Sequence, residues 1–290
     1  MKFRTEIKAL KTSLHLDPSQ RVTLMGSCFS DNIGRKIAEA AWPACVNPCG
    51  VVYNPATIAL LIQLSLTHRP QRRAIVESSL TSREGKYVSW FVDSGCAADT
   101  PEGCTDLLME RLDRLEEAIE TSECLVVTFG TPDVWLLRGT DRLVGNCHKH
   151  PASEFERHRL GIEEIVSTWT GLTLAMRQRN PNLKLILTVS PRRYLGGGAS
   201  DNSRLKAVLL LACEKIADQL ADCCYFPAYE IMIDDLRDYR FYAEDMLHPS
   251  PMAVDYIWET FKASFLSEDD RNAVAAAEKE GRRLRHRPIL

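Results

Sequence analysis

The 290 residues carry a formal net charge of −3, with 45% hydrophobic and 26% charged side chains, enough apolar content for one large α/β domain to bury a core. Lys and Arg are spread along the chain until near its end, which argues against nucleic acid as the main partner. No apolar run approaches the ~20 residues of a membrane helix, and Met1-Lys2-Phe3-Arg4-Thr5-Glu6 lacks the apolar core of a signal peptide. The ten cysteines therefore read as reduced thiols of a cytoplasmic protein rather than as a disulfide framework.

In chain order, Arg21-Val22-Thr23-Leu24-Met25 reads as a strand that empties into Gly26-Ser27-Cys28-Phe29-Ser30. A helix is expected from about Asp31, carrying Ile33 and Ile37 inward. Its amino end would point N–H groups at Ser27 and Cys28, where they hold an oxyanion and favour a thiolate. Leu108, Leu112, Leu115 and Ile119 recur at helical spacing before the apolar run Cys124 to Phe129, which Gly130 ends. Ile162, Ile165, Trp169, Leu172 and Met176 mark the next helix, and Leu183 to Val189 the next strand, ended by Ser190-Pro191. Leu205, Val208, Leu209, Ala212 and Ile216 mark a third helix, capped near Asp201-Asn202-Ser203 and followed by Tyr225-Phe226-Pro227. A further helix starts near Ser250-Pro251, with Met252, Val254, Ile257, Trp258 and Phe261 on its inner face. The stretch from Ala273 reads as a solvated helix giving way to a basic tail with Arg282, Arg283, Arg285, His286 and Arg287, which alternatively docks on the acidic body or a partner.

Continuous apolar strands separated by amphipathic helices predict a mainly parallel sheet covered on both faces, a three-layer α/β/α sandwich. Ligands of such sheets bind beyond the carboxyl ends of the strands. Four segments then meet on one rim: Gly26-Ser27-Cys28, Gly130-Thr131-Pro132-Asp133, Ser190-Pro191-Arg192-Arg193, and Asp245-Met246-Leu247-His248.

A hydroxyl or thiol becomes a nucleophile when a base reaches it, and Asp three residues before His lets one loop carry a base and the carboxylate that orients it. Each motif has a plainer use: small residues suit any tight turn, a free Cys is often a buried small hydrophobe, and Asp245 is placed to cap the helix that starts near Ser250. Their combination on the expected strands favours a site. Cys147, His148 and His150 match no zinc spacing, so no metal is expected, and His148 reads as a polar lining residue or a structural hydrogen-bond partner. Arg192-Arg193 before Gly196-Gly197-Gly198 suits an anion, or is simply a solvated loop. No Gly-Lys-Ser/Thr follows, which excludes a nucleotide P-loop.

Gly26-Ser27-Cys28-Phe29-Ser30, with Tyr53-Asn54-Pro55, Asn146-Cys147-His148-Lys149, Thr188-Val189-Ser190-Pro191 and Phe226-Pro227 through Tyr242, resembles the GSCFA-domain family of bacteria, distant relatives of the SGNH (GDSL-type) hydrolases. The resemblance runs roughly from Phe3 to His286. It implies an SGNH-hydrolase-like, flavodoxin-like domain over 1–270, with 271–290 as a charged helix and tail. It also implies a hydrolase of small-molecule or glycan acyl esters of the esterase or deacetylase type, needing no cofactor. SGNH hydrolases place a nucleophilic Ser after the first strand, a Gly and an Asn at the oxyanion hole, and an Asp-x-x-His pair near the carboxyl end. Asp245 and His248 match that pair, and Gly50 is the candidate glycine. Gly130-Thr131-Pro132-Asp133 departs from the pattern in lacking the Asn, for which Thr131 or Asn146 substitutes. The register puts Cys28 at the nucleophile position, with Ser27 the alternative if the turn shifts by one residue. An acyltransferase to a sugar hydroxyl, or an inactive carbohydrate- or peptide-binding protein, remain the rival readings.

Overall fold

The first expected strand forms as β1 (Val22–Gly26), with all five residues buried. The computed structural model describes residues 4–285. After β1 come α1 (Cys28–Glu39), β2 (Ala44–Val46), α2 (Pro55–Leu66), α3 (Arg69–Ser78), the hairpin β3 (Leu80–Arg83) and β4 (Lys86–Ser89), α4 (Pro101–Thr121) and β5 (Cys124–Phe129). A small insertion, β6 (Asp133–Leu137), β7 (Leu143–Val144) and β8 (Phe155–Arg159), separates β5 from α5 (Ile162–Arg179). The chain continues through β9 (Lys184–Val189), α6 (Ala199–Gln219), β10 (Cys223–Phe226), the single turn α7 (Ala228–Glu230), α8 (Pro251–Phe265) and α9 (Glu268–Arg285).

The main sheet runs β2-β1-β5-β9-β10 and every pairing in it is parallel. In order of appearance these strands lie 2-1-3-4-5, the second common order of doubly wound sheets. Both faces are covered, as the apolar strands require. Leu125, Val127, Phe129, Leu185 and Leu187 face a core shared with α2, α4, α5 and α6. The alternate residues Val22, Leu24, Cys124, Val126 and Ile186 face Ile33, Ile37, Ile257, Trp258 and Phe261 of α1 and α8. The expected three-layer α/β/α sandwich is thus what the chain forms. No helix among the described residues is long and apolar enough to cross a membrane.

Helix boundaries differ from expectation in two places. Helix α1 starts at Cys28 rather than near Asp31, because Ser27 is the N-cap and its Oγ accepts from Phe29 N–H at 3.3 Å. Helix α6 starts at Ala199 after Gly198, which takes φ +84°, and Asn202 uses its Oδ1 to accept from Tyr194 N–H at 2.8 Å. At the other end of the chain, Ser250 rather than Asp245 caps α8, accepting from Ala253 N–H at 3.3 Å. Helix α9 rests on α8, with Val274 2% exposed and Glu278 accepting from Trp258 Nε1–H at 2.7 Å and Lys262 Nζ–H at 3.2 Å. His286 and Arg287 of the basic tail lie outside the described residues.

Gly26 shows how tightly β1 ends against β5. Its φ is +135°, and a Cβ there would stand 2.2 Å from the Thr128 carbonyl oxygen. Backbone cannot yield as a flexible side chain does, so Gly26→Ala is expected to cost about 2–4 kcal/mol. A melting temperature lower by at least about 5 °C is the measurable result, and an unchanged one would contradict the geometry.

Candidate active site

The sheet order fixes where a crevice opens. Connections leave β1 and β5 in opposite directions, so the carboxyl ends of these two neighbours form the switch point at which doubly wound sheets bind ligands. Gly26-Ser27-Cys28 and Gly130-Thr131 lie there. Ser190 joins them, since its N–H donates to Phe129 O at 2.8 Å and its Oγ accepts from Ser27 Oγ at 3.2 Å. The fourth segment closes the rim, with Arg193 N–H donating to Leu247 O at 3.0 Å. All four expected loops therefore converge.

Because α1 begins one residue after Ser27, the two nucleophile candidates have different surroundings. Ser27 is fully buried, and its hydroxyl is held between Phe29 N–H and Ser190 Oγ. Cys28 is half-buried as the first helical residue, at the amino end of α1. Burial nevertheless raises the Cys28 thiol above the ordinary range. The positive charge of Arg192 opposes this and Asp31 adds to it. Desolvation thus outweighs the helix end, which was expected to favour a thiolate.

His248 and Asp245 form a hydrogen-bonded unit. His248 Nδ1–H donates to Asp245 Oδ2 at 2.5 Å, which leaves Nε2 outside the pair. The other carboxylate oxygen, Oδ1, accepts from the N–H groups of Leu247 at 2.9 Å and His248 at 3.0 Å. The backbone N–H and ring of His248, then the Leu247 N–H, hold the Asp245 carboxyl well below the usual carboxylate range. Met246 turns the loop at φ +57°, and Ala243 N–H donates to His248 O at 2.8 Å. Asp245 orients the ring rather than a helix end.

The other expected residues fall into two groups. Gly50 takes φ +85° in a turn, where its N–H donates to Asn47 O at 2.8 Å. The N–H groups of Gly130 and Thr131 both donate to Tyr53 O, at 2.7 and 3.1 Å. Those three backbone donors are occupied. Thr131 Oγ1 accepts from Asp133 N–H at 3.1 Å and keeps its own proton to give. Asn146 spends its Oδ1 on His148 N–H at 2.8 Å, which leaves the Nδ2 amide for a ligand. His148 takes its structural role: Nε2 lies 2.8 Å from Ser89 O, Nδ1 3.2 Å from Ser94 Oγ, and burial lowers its pKa.

A cavity of about 590 Å³ opens at this rim, and Thr131, Asn146, Arg192 and Leu247 line it together with Tyr53 and Tyr194. Cys28, Asp245 and His248 are not among its lining residues, although Leu247, the neighbour of His248, is. A separate charged hollow of about 920 Å³, between residues 4–8 and 234–241, contains no expected site residue.

Two supporting residues escape sequence reasoning. Asn47, at φ +42°, accepts from Gly26 N–H through Oδ1 at 2.9 Å and donates from Nδ2 to Asp31 Oδ1 at 2.6 Å, so it braces the turn before Cys28. The turn-prone Asn47-Pro48-Cys49-Gly50 was the available signal. Lys206 is 1% exposed beneath the cavity, and its ammonium donates to Gly130 O at 3.1 Å and Ser190 O at 2.7 Å, tying β5 to β9. Burial, then the charge of Arg192, pushes its pKa down to about 7. Nothing in a lysine beside Leu205 in an amphipathic helix announces that position.

Residues 21–261 match the family model of GSCFA. No curated protein matches the sequence. Among solved structures the chain is similar to a carbohydrate esterase family 2 enzyme with a carbohydrate binding domain from Corynascus thermopiles (Myceliophthora fergusii), at 11% identity and a TM-score of 0.44, over 92% of this chain and 68% of that one. It is also similar to a carbohydrate esterase family 3 protein of Talaromyces cellulolyticus, at 8% identity and a TM-score of 0.37, over 90% and 99% of the two chains. A family 3 carbohydrate esterase of Clostridium thermocellum gives 10% identity and a TM-score of 0.36, over 89% and 98%.

Proposed function

The chain belongs to the GSCFA family, and we propose that it is an acyl-ester hydrolase in which Cys28 is the nucleophile, His248 the general base and Asp245 its orienting carboxylate. The observation that carries the reading is the division of roles at the start of α1. Ser27 is buried and engaged as the cap, while Cys28 stands at the rim on which the Asp245–His248 pair also lies.

In the proposed cycle His248 Nε2 takes the Cys28 proton as sulfur attacks the ester carbonyl. The Cys28 N–H, the Asn146 Nδ2 amide and the Thr131 hydroxyl supply donors to the oxyanion. Collapse breaks the C–O bond, and His248 returns its proton to the departing alcohol. Water, deprotonated by His248, then cleaves the thioester and releases the acid and the thiol. The substrate class is a small-molecule or glycan acyl ester. An acyltransferase would share the first half of this cycle and pass the acyl group to a hydroxyl in place of water.

Turnover of 4-nitrophenyl acetate tests the reading, and Asp245→Asn isolates the orienting role. That variant is expected to keep the fold and lose most of kcat, by about 10²–10⁴, because an amide facing Nδ1 favours the wrong tautomer. Activity within about threefold of wild type in a folded Asp245→Asn protein would remove Asp245 from the mechanism.

A further inference from the structure

Arg192 and Tyr194 sit side by side in the cavity wall, with the guanidinium carbon 4.6 Å from the ring centroid. Both carry a buried donor without a hydrogen-bond partner, Arg192 Nε and the Tyr194 hydroxyl. Buried donors are almost always satisfied, so two orphans on neighbouring residues that line one cavity call for an acceptor.

The charges around them have the same sign. Asp133 and Asp201, the acids of the wall, are already bound by Arg157 and Arg159. Among the described residues no carboxylate pairs with Arg192, Arg193 or Lys206. Lys206 lies beneath, its ammonium 4.9 Å from the Tyr194 ring centroid. The Arg192 guanidinium and the buried Lys206 thus lie against the Tyr194 ring, while Arg193 stands over the Tyr242 ring at 5.6 Å, and no carboxylate among the described residues offsets the Arg192 charge.

We infer that this cavity binds an anionic oxygen group, a carboxylate or a phosphate, carried by the ester it takes, with Arg192 Nε–H and the Tyr194 hydroxyl as its donors. The inference rests on the proposed hydrolase reading for the reacting bond but not for the anion. It narrows the substrate from any acyl ester to one bearing a negative charge beside the scissile group, and planar or tetrahedral oxyanions both suit a guanidinium.

Calorimetric titration of the Cys28→Ala protein, which has no nucleophile at that position, separates binding from turnover. The probes are inorganic phosphate, monomethyl succinate and neutral dimethyl succinate. At least one anion is expected to bind tenfold or more tightly than the neutral diester, and Arg192→Ala or Tyr194→Phe, each added to Cys28→Ala, to weaken it by about tenfold to a hundredfold. Preference for phosphate assigns a phosphorylated ester, and preference for monomethyl succinate a carboxylated one. Equal binding of charged and neutral probes, or anion binding indifferent to both added substitutions, overturns the inference. Tyr194→Phe keeps the ring, so the test survives a misfolded Arg192→Ala. Anion binding with no turnover of 4-nitrophenyl acetate or mono-4-nitrophenyl succinate would leave this inference standing and remove the hydrolase reading. Turnover of both without anion preference would do the reverse.

Discussion

Replacing His248 by alanine is expected to lower kcat for an activated ester by about 10⁴ while the protein keeps its fold, since loss of the base in a catalytic triad has effects of that order. The expectation follows from the state of Cys28. A thiol ionised at rest would survive loss of its base with part of its reactivity, but burial raises the Cys28 pKa despite Arg192 and the helix amino end. Under the proposed mechanism proton removal is then part of the reaction itself, and Nε2, which takes no part in the Nδ1–Asp245 bond, is the atom assigned to it. The fold is expected to survive because the His248 ring is 35% exposed and the loop is braced through backbone bonds from Ala243 and Arg193. A folded His248→Ala protein with wild-type turnover would eliminate the proposed base.

The layers of the fold were legible because the parallel strands are buried on both sides. Runs such as Cys124 to Phe129 are continuously apolar, and the helices between them keep a clear 3.6-residue period. The insertion β6 to β8 was not legible. Its strands are short, and β8 (Phe-Glu-Arg-His-Arg) exposes three polar residues in a row, so it has neither apolar continuity nor clean alternation. Yet β6 and β8 place Asp133 and Arg157 in the cavity wall.

At the site, the residues that act through short-range order could be read and those that depend on tertiary neighbours could not. Asp245 and His248 are three residues apart, and their contact is local. Gly50, Gly130 and Thr131 suited an oxyanion hole by type, but only the fold reveals that Asn47 O and Tyr53 O already accept from their N–H groups. Lys206 gains its meaning from carbonyls 76 and 16 residues away in sequence. A period analysis assigns such a residue to the wrong face.

The choice between Ser27 and Cys28 turns on where α1 begins, and the two expected outcomes are opposite. With Cys28 as nucleophile, Cys28→Ala is inactive, whereas Ser27→Ala loses chiefly its cap and the bond to Ser190, costing about 1–2 kcal/mol of stability with turnover retained in part. Iodoacetamide should inactivate the enzyme through Cys28. Because the Cys28 pKa is raised, the rate of that alkylation should still be climbing at about pH 9, where an ordinary thiol is already half ionised or more. Cys49, Cys124 and Cys213 are buried with thiol pKa values raised further by desolvation, so they should react later. A serine enzyme would give an active Cys28→Ala protein, an inactive Ser27→Ala protein and a fluorophosphonate adduct on Ser27. That outcome requires the Ser27 hydroxyl to leave both Phe29 N–H and Ser190 Oγ before it can attack. The cost of breaking two buried hydrogen bonds in every cycle is the physical reason to expect the thiol instead.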